Sequence, residues 1–115
     1  MARIEETTQG MTIRRVISDV DGATDFVMDV FEFEPEGRSE LHRHPWEHQI
    51  FVVSGTGEIR GGEGPVRFGP GDVIFVGPDD EHQFFNTGTD PVVFVCAVPK
   101  AALTAYYFDQ SNSGR

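Results

Sequence analysis

Three of the four histidines in this 115-residue chain fall within seven positions, at His42, His44 and His48. In an extended segment, side chains two or four positions apart point to the same face, so these imidazoles converge if the chain stays extended past Pro45. Protonated rings placed together would repel one another, and neutral rings need partners. Neutral imidazole binds Mn, Fe, Co, Ni, Cu and Zn. The cluster therefore predicts a site for a divalent transition metal, with Glu47 directed to the opposite face.

The rest of the chain predicts short β-strands around this cluster. Thirteen Gly and seven Pro interrupt the sequence, and its length suits one domain over residues 1–115. Even spacing of short strands is typical of an antiparallel sandwich or barrel. We expect a polar arm at 1–11, a helix only at 100–106 and a disordered tail at 109–115. The predicted strands cover residues 25–33, 49–53, 58–60, 66–68, 73–76, 82–86 and 92–98.

Residues 37–55 resemble the first of the two sequence motifs of the cupins. His42 and His44 are separated by one residue, three residues lead on to His48, and six more lead to Gly55. This chain departs from the motif in two places. Four residues rather than five precede His42, and His48 stands where most cupins carry a glutamate ligand.

Residues 71–86 resemble the second cupin motif. His82 and Asn86 have the expected separation of three residues, but Pro78 lies one residue closer to His82 than the motif requires. Asp80 replaces the glycine that usually follows the proline. The resemblance adds His82 to the three clustered histidines as a metal ligand.

The run from His42 to His48 also resembles a subgroup of small single-domain cupins with four-histidine sites, best known as manganese-binding proteins. The resemblance covers residues 25–99. It implies an all-β, double-stranded β-helix (jelly-roll) barrel with little helix, and a homodimer. It also implies one divalent metal per chain, Mn²⁺ being favoured and Fe, Co, Ni, Cu or Zn possible. The implied ligands are His42, His44, His48 and His82.

Four neutral nitrogen ligands leave the full double charge on the ion, which makes it a stronger Lewis acid than a site containing a glutamate would. Redox metals with open positions beside histidines carry out oxygen chemistry. The four-histidine cupins are linked to dioxygenase-type cleavage, so we expect an oxidoreductase that activates O₂ or peroxide toward a small substrate. Two alternatives remain open: a metal-dependent isomerase or lyase, and a non-catalytic metal- or ligand-binding module.

The strand pattern also predicts which apolar side chains face the metal. Phe84 has the same parity as His82, and Phe94 and Val98 have the same parity as Cys96. These three residues predict a rather apolar substrate pocket.

Three polar residues are further candidates for catalysis. Cys96 faces the metal if the resemblance holds, although it also fits a small core residue in the apolar run 92–98. Asp29 could act as a base near the cavity, but an outward position in the acidic surface is the favoured interpretation. Asn86 shares the parity of His82 and could bind a ligand or water, or complete the following turn.

Charge and composition exclude several classes of partner. The net charge of −10 disfavours nucleic acid, and the eight acidic residues between positions 19 and 40 suit a solvated face or a field that attracts cations. No stretch is apolar enough to span a membrane, and the N-terminus lacks the apolar core of a signal peptide. A single cysteine fits a reducing compartment, so we expect a cytoplasmic protein with a small-molecule substrate.

Overall fold

The computed structural model describes residues 3–62 and 64–102, with side chains described from residue 9 onward. Within these residues the fold is almost entirely β, as the sequence predicted; the helical residues are a short 3₁₀ helix at Asp19–Asp21 and residues 101–102. No helix in the described part of the chain is long and apolar enough to cross a membrane. The strands are β1 (Arg3–Thr8), β2 (Met11–Ile17), β3 (Phe26–Phe33), β4 (His48–Ser54), β5 (Gly57–Arg60), β6 (Val66–Phe68), β7 (Val73–Val76), β8 (Gln83–Asn86) and β9 (Val92–Pro99).

The strands form two antiparallel sheets. Six strands lie in the order β1-β2-β3-β9-β4-β7, and three lie in the order β6-β5-β8. The central pair, β3 and β9, stays in register from Phe26 opposite Pro99 to Phe33 opposite Val92. This long, unbroken register fixes which residues of β3 and β9 share the inner face.

The core lies between the sheets and is dominated by phenyl rings. The Phe94 ring centroid lies 5.0 Å from Phe31, 5.6 Å from Phe33 and 5.0 Å from Phe84. Phe84 belongs to the three-stranded sheet and the other rings to the six-stranded sheet, so these contacts hold the two sheets together. Burying one such side chain contributes about 1.5–3 kcal/mol.

The N-terminal region differs from the sequence prediction. Residues 3–8, within the predicted arm, form β1, which pairs antiparallel with the unpredicted strand β2. Side chains on β2 alternate between the interior and the surface, with Met11, Ile13 and Arg15 buried. At the other end, residues 101–102 are helical. The remainder of the predicted helix at 100–106 and the predicted tail at 109–115 lie outside the described residues.

Candidate metal centre

Backbone hydrogen bonds hold the histidine-rich segment against His82 and the strand β8 that follows it. His42 and His82 exchange two N–H to O=C bonds of 3.1 and 2.9 Å, as paired residues of an antiparallel ladder do. Three positions earlier, the Ser39 amide donates to the Phe84 carbonyl at 3.0 Å. On the far side, the His44 carbonyl accepts a 2.7 Å bond from the Asp79 amide. Two segments distant in sequence are thereby fixed next to each other.

The four imidazoles form one compact cluster. Ligand nitrogens of His42, His44 and His82 all lie within 4.8 Å of one another. His48, the first residue of β4, points inward and places its Nε2 3.0 Å from the Nε2 of His44. Its ring centroid lies 5.2 Å from that of His82. His44, His48 and His82 are buried, whereas His42 is exposed and forms the side of the cluster that faces solvent.

Three of the rings are anchored through Nδ1 by backbone carbonyls two residues away. The acceptors are the carbonyl oxygens of Glu40 for His42 at 3.0 Å, of Trp46 for His44 at 2.8 Å and of Asp80 for His82 at 2.8 Å. A carbonyl only accepts, so each Nδ1 carries the proton and each Nε2 keeps its lone pair. The Nε2 of His82 is buried without a hydrogen-bond partner.

The fourth ring is anchored differently. The Nδ1 of His48 lies 2.9 Å from the sulfur of Cys96, which is fully buried. Burial, and then the negative charge of Asp29, raises the pKa of the Cys96 thiol, so the thiol is neutral. A neutral thiol can donate or accept a hydrogen bond.

Burial also keeps the four imidazoles neutral. It lowers the pKa of His42 and His82 below the usual 6.5, and it lowers the pKa of His48 well below that value. For His44 burial lowers the pKa to about 4, with further contributions from the neighbouring rings of His82 and His42. The cluster therefore presents lone pairs rather than positive charges at pH 7.

The cluster fits a transition-metal ion. The Nε2 of His82 is buried without a partner and lies beside the Nε2 atoms of the other three histidines. All four rings are held through Nδ1, and a histidine metal site needs both this set of nitrogen donors and this supporting hydrogen bonding. Glu47, next to His48, lies outside the cluster and accepts a 2.7 Å bond from Gln49. The predicted histidines are therefore brought together, and the neighbouring carboxylate is not. Imidazole nitrogens alone leave the identity of the metal open.

Comparison with known proteins gives the family. The family model for the cupin domain matches residues 29–98. This chain belongs to the cupin family. The structure is similar to that of the polyketide cyclase RemF from Streptomyces resistomycificus, with 30% identity, a TM-score of 0.76, and coverage of 87% of this chain and 73% of that one. The predicted cupin barrel is thus confirmed.

Two further cupins show similar relationships. A cupin 2 domain-containing protein from Halorhodospira halophila is 29% identical, with a TM-score of 0.75 over 85% of this chain and 71% of that one. The 1-methylthio-D-xylulose 5-phosphate methylsulfurylase of Rhodospirillum rubrum is 28% identical over 85 residues, 74% of this chain and 54% of that protein. This cupin therefore spans about half the length of that curated relative.

Asp29 of this cupin does not lie on the acidic surface, so the favoured interpretation of its position was wrong. It is 4% exposed and forms a bidentate ion pair with Arg15, with N–O distances of 2.7 and 2.9 Å. Asp29 faces Cys96 in the β3–β9 register and Arg15 in the β2–β3 register. The inner face thus carries a polar row from Arg15 to Cys96, which ends at His48.

Asn86 occupies the turn position that the sequence also allowed. Its amide donates to the carbonyls of Phe33 and Asp90 at 3.0 and 2.9 Å, and its oxygen accepts a 2.8 Å bond from the Gly88 amide. Both ends of the amide are engaged by backbone. This arrangement supports the turn between β8 and β9 rather than a contact with bound ligand.

The predicted pocket residues lie at different depths. Phe84 contacts the rings of His48 and His82 edge-on, and Phe94 packs one layer further into the core. Val98 is buried and borders a groove of about 600 Å³ that also contains Trp46. A second groove of about 900 Å³ reaches His82 and is lined by apolar side chains, among them Phe68 and Val76, and by the charged side chains of Arg67, Asp72, Asp80 and Glu81.

Two side chains beside the centre were not assigned these roles from sequence. Trp46 stacks on His44 with a centroid distance of 4.2 Å and an interplanar angle of 8°, which fixes the plane of that ring. Arg15 was missed together with its strand. The alternation of Met11, Ile13 and Arg15 with polar neighbours was the available signal, since it places an arginine on an apolar face.

Proposed function

We propose that this cupin is a metal-dependent enzyme that binds one divalent transition metal through His42, His44, His48 and His82. The observation that carries the proposal is the buried, unpartnered Nε2 of His82, set among three further Nε2 atoms. An uncompensated buried polar atom costs about 1–3 kcal/mol, and a bound cation would remove that cost. We further propose membership of the four-histidine cupin subgroup, with Mn²⁺ as the first candidate.

The chain itself would shape the environment of the ion. Phe84 closes the inner side with its ring 5.6 Å from His82 and 6.2 Å from His48, which excludes water there. Exposed His42 leaves the opposite side open. The groove that reaches His82 combines aliphatic and phenyl walls with the charged side chains of Arg67, Asp72, Asp80 and Glu81. These features suit a small molecule with an apolar body that approaches the centre through an oxygen atom.

The reaction class best supported is polarisation of a substrate carbonyl or enol, as in a cyclase, isomerase or lyase. A bound divalent ion would supply Lewis-acid chemistry there, and the neutral ligands would leave its charge undiminished. The 30% identity to a protein named as a polyketide cyclase supports this class. An isomerase or lyase was one of the two alternatives that the sequence left open. The similar proteins give the dioxygenase prediction no specific support.

A dioxygenase-type oxidoreductase is the second candidate. The observation that favours it is the phenyl floor beneath the histidines, formed by Phe31 and Phe84 around His48. Such an apolar floor suits O₂ and an apolar substrate. A dioxygenase requires a redox-active metal and O₂, so an experiment that varies both can distinguish it from a Lewis-acid enzyme.

The test begins with elemental analysis of protein purified without added metal. Stripped protein is then loaded with Zn²⁺, Mn²⁺ or Fe²⁺ and incubated with two probes, a 1,3-diketone and a catechol, in air and under nitrogen. We expect metal-dependent conversion of the diketone with Zn²⁺ as well as Mn²⁺, independent of O₂. O₂ uptake with Mn²⁺ or Fe²⁺ alone would favour the dioxygenase.

Glu47→Gln is the matched control, because Glu47 lies beside His48 but outside the cluster. It should retain metal and conversion, whereas His82→Ala should lose both. A protein that holds no ion and converts neither probe with any metal would contradict the proposal.

A further inference from the structure

Most of the large apolar side chains that the described chain exposes lie on one surface, the outer face of the six-stranded sheet. Strand alternation and register place seven of the ten exposed residues of this kind there. They are Ile17, Phe26, Met28, Phe51, Val53, Val73 and Phe75. The apolar side chains on the inner face of the same strands are packed in the core. The sheet is therefore apolar on both faces, and within the described residues only the inner face is covered.

Two adjacent rows of outward side chains cross the four strands β3, β9, β4 and β7. In strand order, one row contains Met28, Ala97, Gln49 and Phe75, and the other contains Val30, Val95, Phe51 and Val73. We call these eight side chains the outer apolar face. Gln49 is its one polar member, and its amide donates to Glu47 at 2.7 Å. The face is thus continuous across four strands.

The outer apolar face is also uncharged, although the chain has a net charge of −10. The strands β4, β7 and β9 contain no Asp, Glu, Lys or Arg. At the border of the face, Arg14 of β2 and Glu32 of β3 pair with each other at 3.2 Å. Two copies of a chain with this net charge repel each other. On this face they can meet without bringing like charges together.

The exposed area is larger than an isolated protein usually leaves in water. Phe26 and Phe75 are each 64% exposed and Phe51 is 50% exposed, so these three rings alone present roughly 350 Å². Val73 and Met28 add to that area. The largest apolar patch on a typical monomer is about 300–600 Å², and a stable interface buries about 800 Å² per partner. The face has the size of the centre of such an interface.

We infer that this chain forms a two-fold symmetric homodimer through the outer apolar face. A two-fold axis brings the same patch of both copies together, and an uncharged apolar patch is complementary to itself. Two such faces pack about 10 Å apart, as the sheets of a β-sandwich do. The net charge of −10 disfavours an anionic lipid surface as the partner instead. The interface lies on the opposite side of the sheet from the histidines, so the inference does not depend on the proposed metal site.

The first experiment is sedimentation velocity of the full chain at increasing dilution, for wild type, Phe51→Lys and Val20→Lys. Val20 is the matched control, because it is 74% exposed but lies in the 3₁₀ helix, away from the face. We expect dimers for wild type and Val20→Lys. A two-fold interface contains each substituted residue twice, so Phe51→Lys should weaken the dimer about 100-fold or more.

Phe75→Lys, in the other row of the face, repeats the test in case Phe51→Lys does not fold, which far-UV circular dichroism shows. A monomeric wild type would overturn the inference, and so would a dimer that both lysine variants leave unchanged. Elemental analysis should find the same metal content in the lysine variants as in wild type. A protein that dimerises in this way but holds no metal would defeat the proposed function and leave the inference standing.

The second experiment uses wild-type protein and a soluble gadolinium chelate, which broadens the methyl NMR signals of side chains that it can reach. Val73 and Val20 have nearly the same exposure in the single chain, 78% and 74%. We expect Val20 to be broadened and Val73 to be shielded, and Phe51→Lys should restore broadening of Val73. Equal broadening of the two valines in wild type would overturn the inference. A monomer in which Val73 is shielded would also overturn it.

Discussion

Replacing Asp29 by Asn should destabilise the fold and leave the metal content unchanged. The carboxylate accepts bonds of 2.7 Å from Nε and 2.9 Å from Nη2 of Arg15, and the two side chains are 6% and 5% exposed. Asparagine preserves the shape of Asp29 but removes its charge. The guanidinium then stays buried without that carboxylate.

The expected cost follows from the burial of the pair. Removing one partner of a buried ion pair lowers the free energy of unfolding by about 3–5 kcal/mol. For a domain of this size that corresponds to a fall in Tm of about 10–20 °C. The double variant Asp29→Leu, Arg15→Met removes both charges while filling the space. It should lie within about 1 kcal/mol of wild type or be more stable.

Urea denaturation followed by far-UV circular dichroism measures these differences, with stripped wild-type protein as the reference and elemental analysis of unstripped samples in parallel. A loss below about 1 kcal/mol for Asp29→Asn would refute the structural role of the pair. Unchanged stability with a large fall in kcat would support the role as a base that the sequence allowed for Asp29.

Three further predictions concern the metal centre and its supports. His48→Ala should weaken metal binding by about 100-fold or more, because roughly 10–16 kcal/mol of binding free energy is shared among four ligands. Glu47→Ala should bind the metal as tightly as wild type. A competition titration that gave the reverse pattern would show that Glu47, and not His48, is the ligand. The stability of stripped protein should be flat from about pH 6.5 to 8 and fall as the pH decreases from 6.5 to about 4, since the folded pKa of His44 is about 4 and the unfolded chain takes up protons first. Rising stability between pH 6.5 and 4, measured by urea denaturation, would contradict neutral burial of the cluster. Asn86→Ala should lower the free energy of unfolding by about 1–3 kcal/mol, because backbone groups of its turn lose their partner, and elemental analysis should show unchanged metal content. Loss of metal with unchanged stability would place Asn86 at the metal site instead.

The sequence predicted the local parts of the structure well. The predicted strand at residues 73–76 matches β7, and the parity argument placed His42, His44 and His48 together because side-chain alternation is a property of the backbone. Turns marked by glycine and proline separated most of the remaining strands. These features depend on neighbouring residues alone and can therefore be predicted from a single sequence.

The unpredicted features depend on contacts between distant residues. Arg15 and Asp29 are 14 positions apart, and His48 and Cys96 are 48 apart. An aspartate between apolar neighbours fits either face of a strand until the strand beside it is known. Because β2 was not predicted, the buried partner of Asp29 was also missing, and the surface position was preferred.

The histidine at position 48 suits its surroundings better than the glutamate that most cupins carry there. The ring of His48 meets Phe31 and Phe84 edge-on at 6.4 and 6.2 Å, and its Nδ1 meets the Cys96 thiol. An ionised carboxylate in that position would face two phenyl rings and a neutral thiol, and desolvation would penalise it strongly without a bound cation. A neutral imidazole carries no such penalty, so the cluster can assemble before metal binds. The replacement therefore fits the apolar interior of this barrel and leaves the ion its full charge.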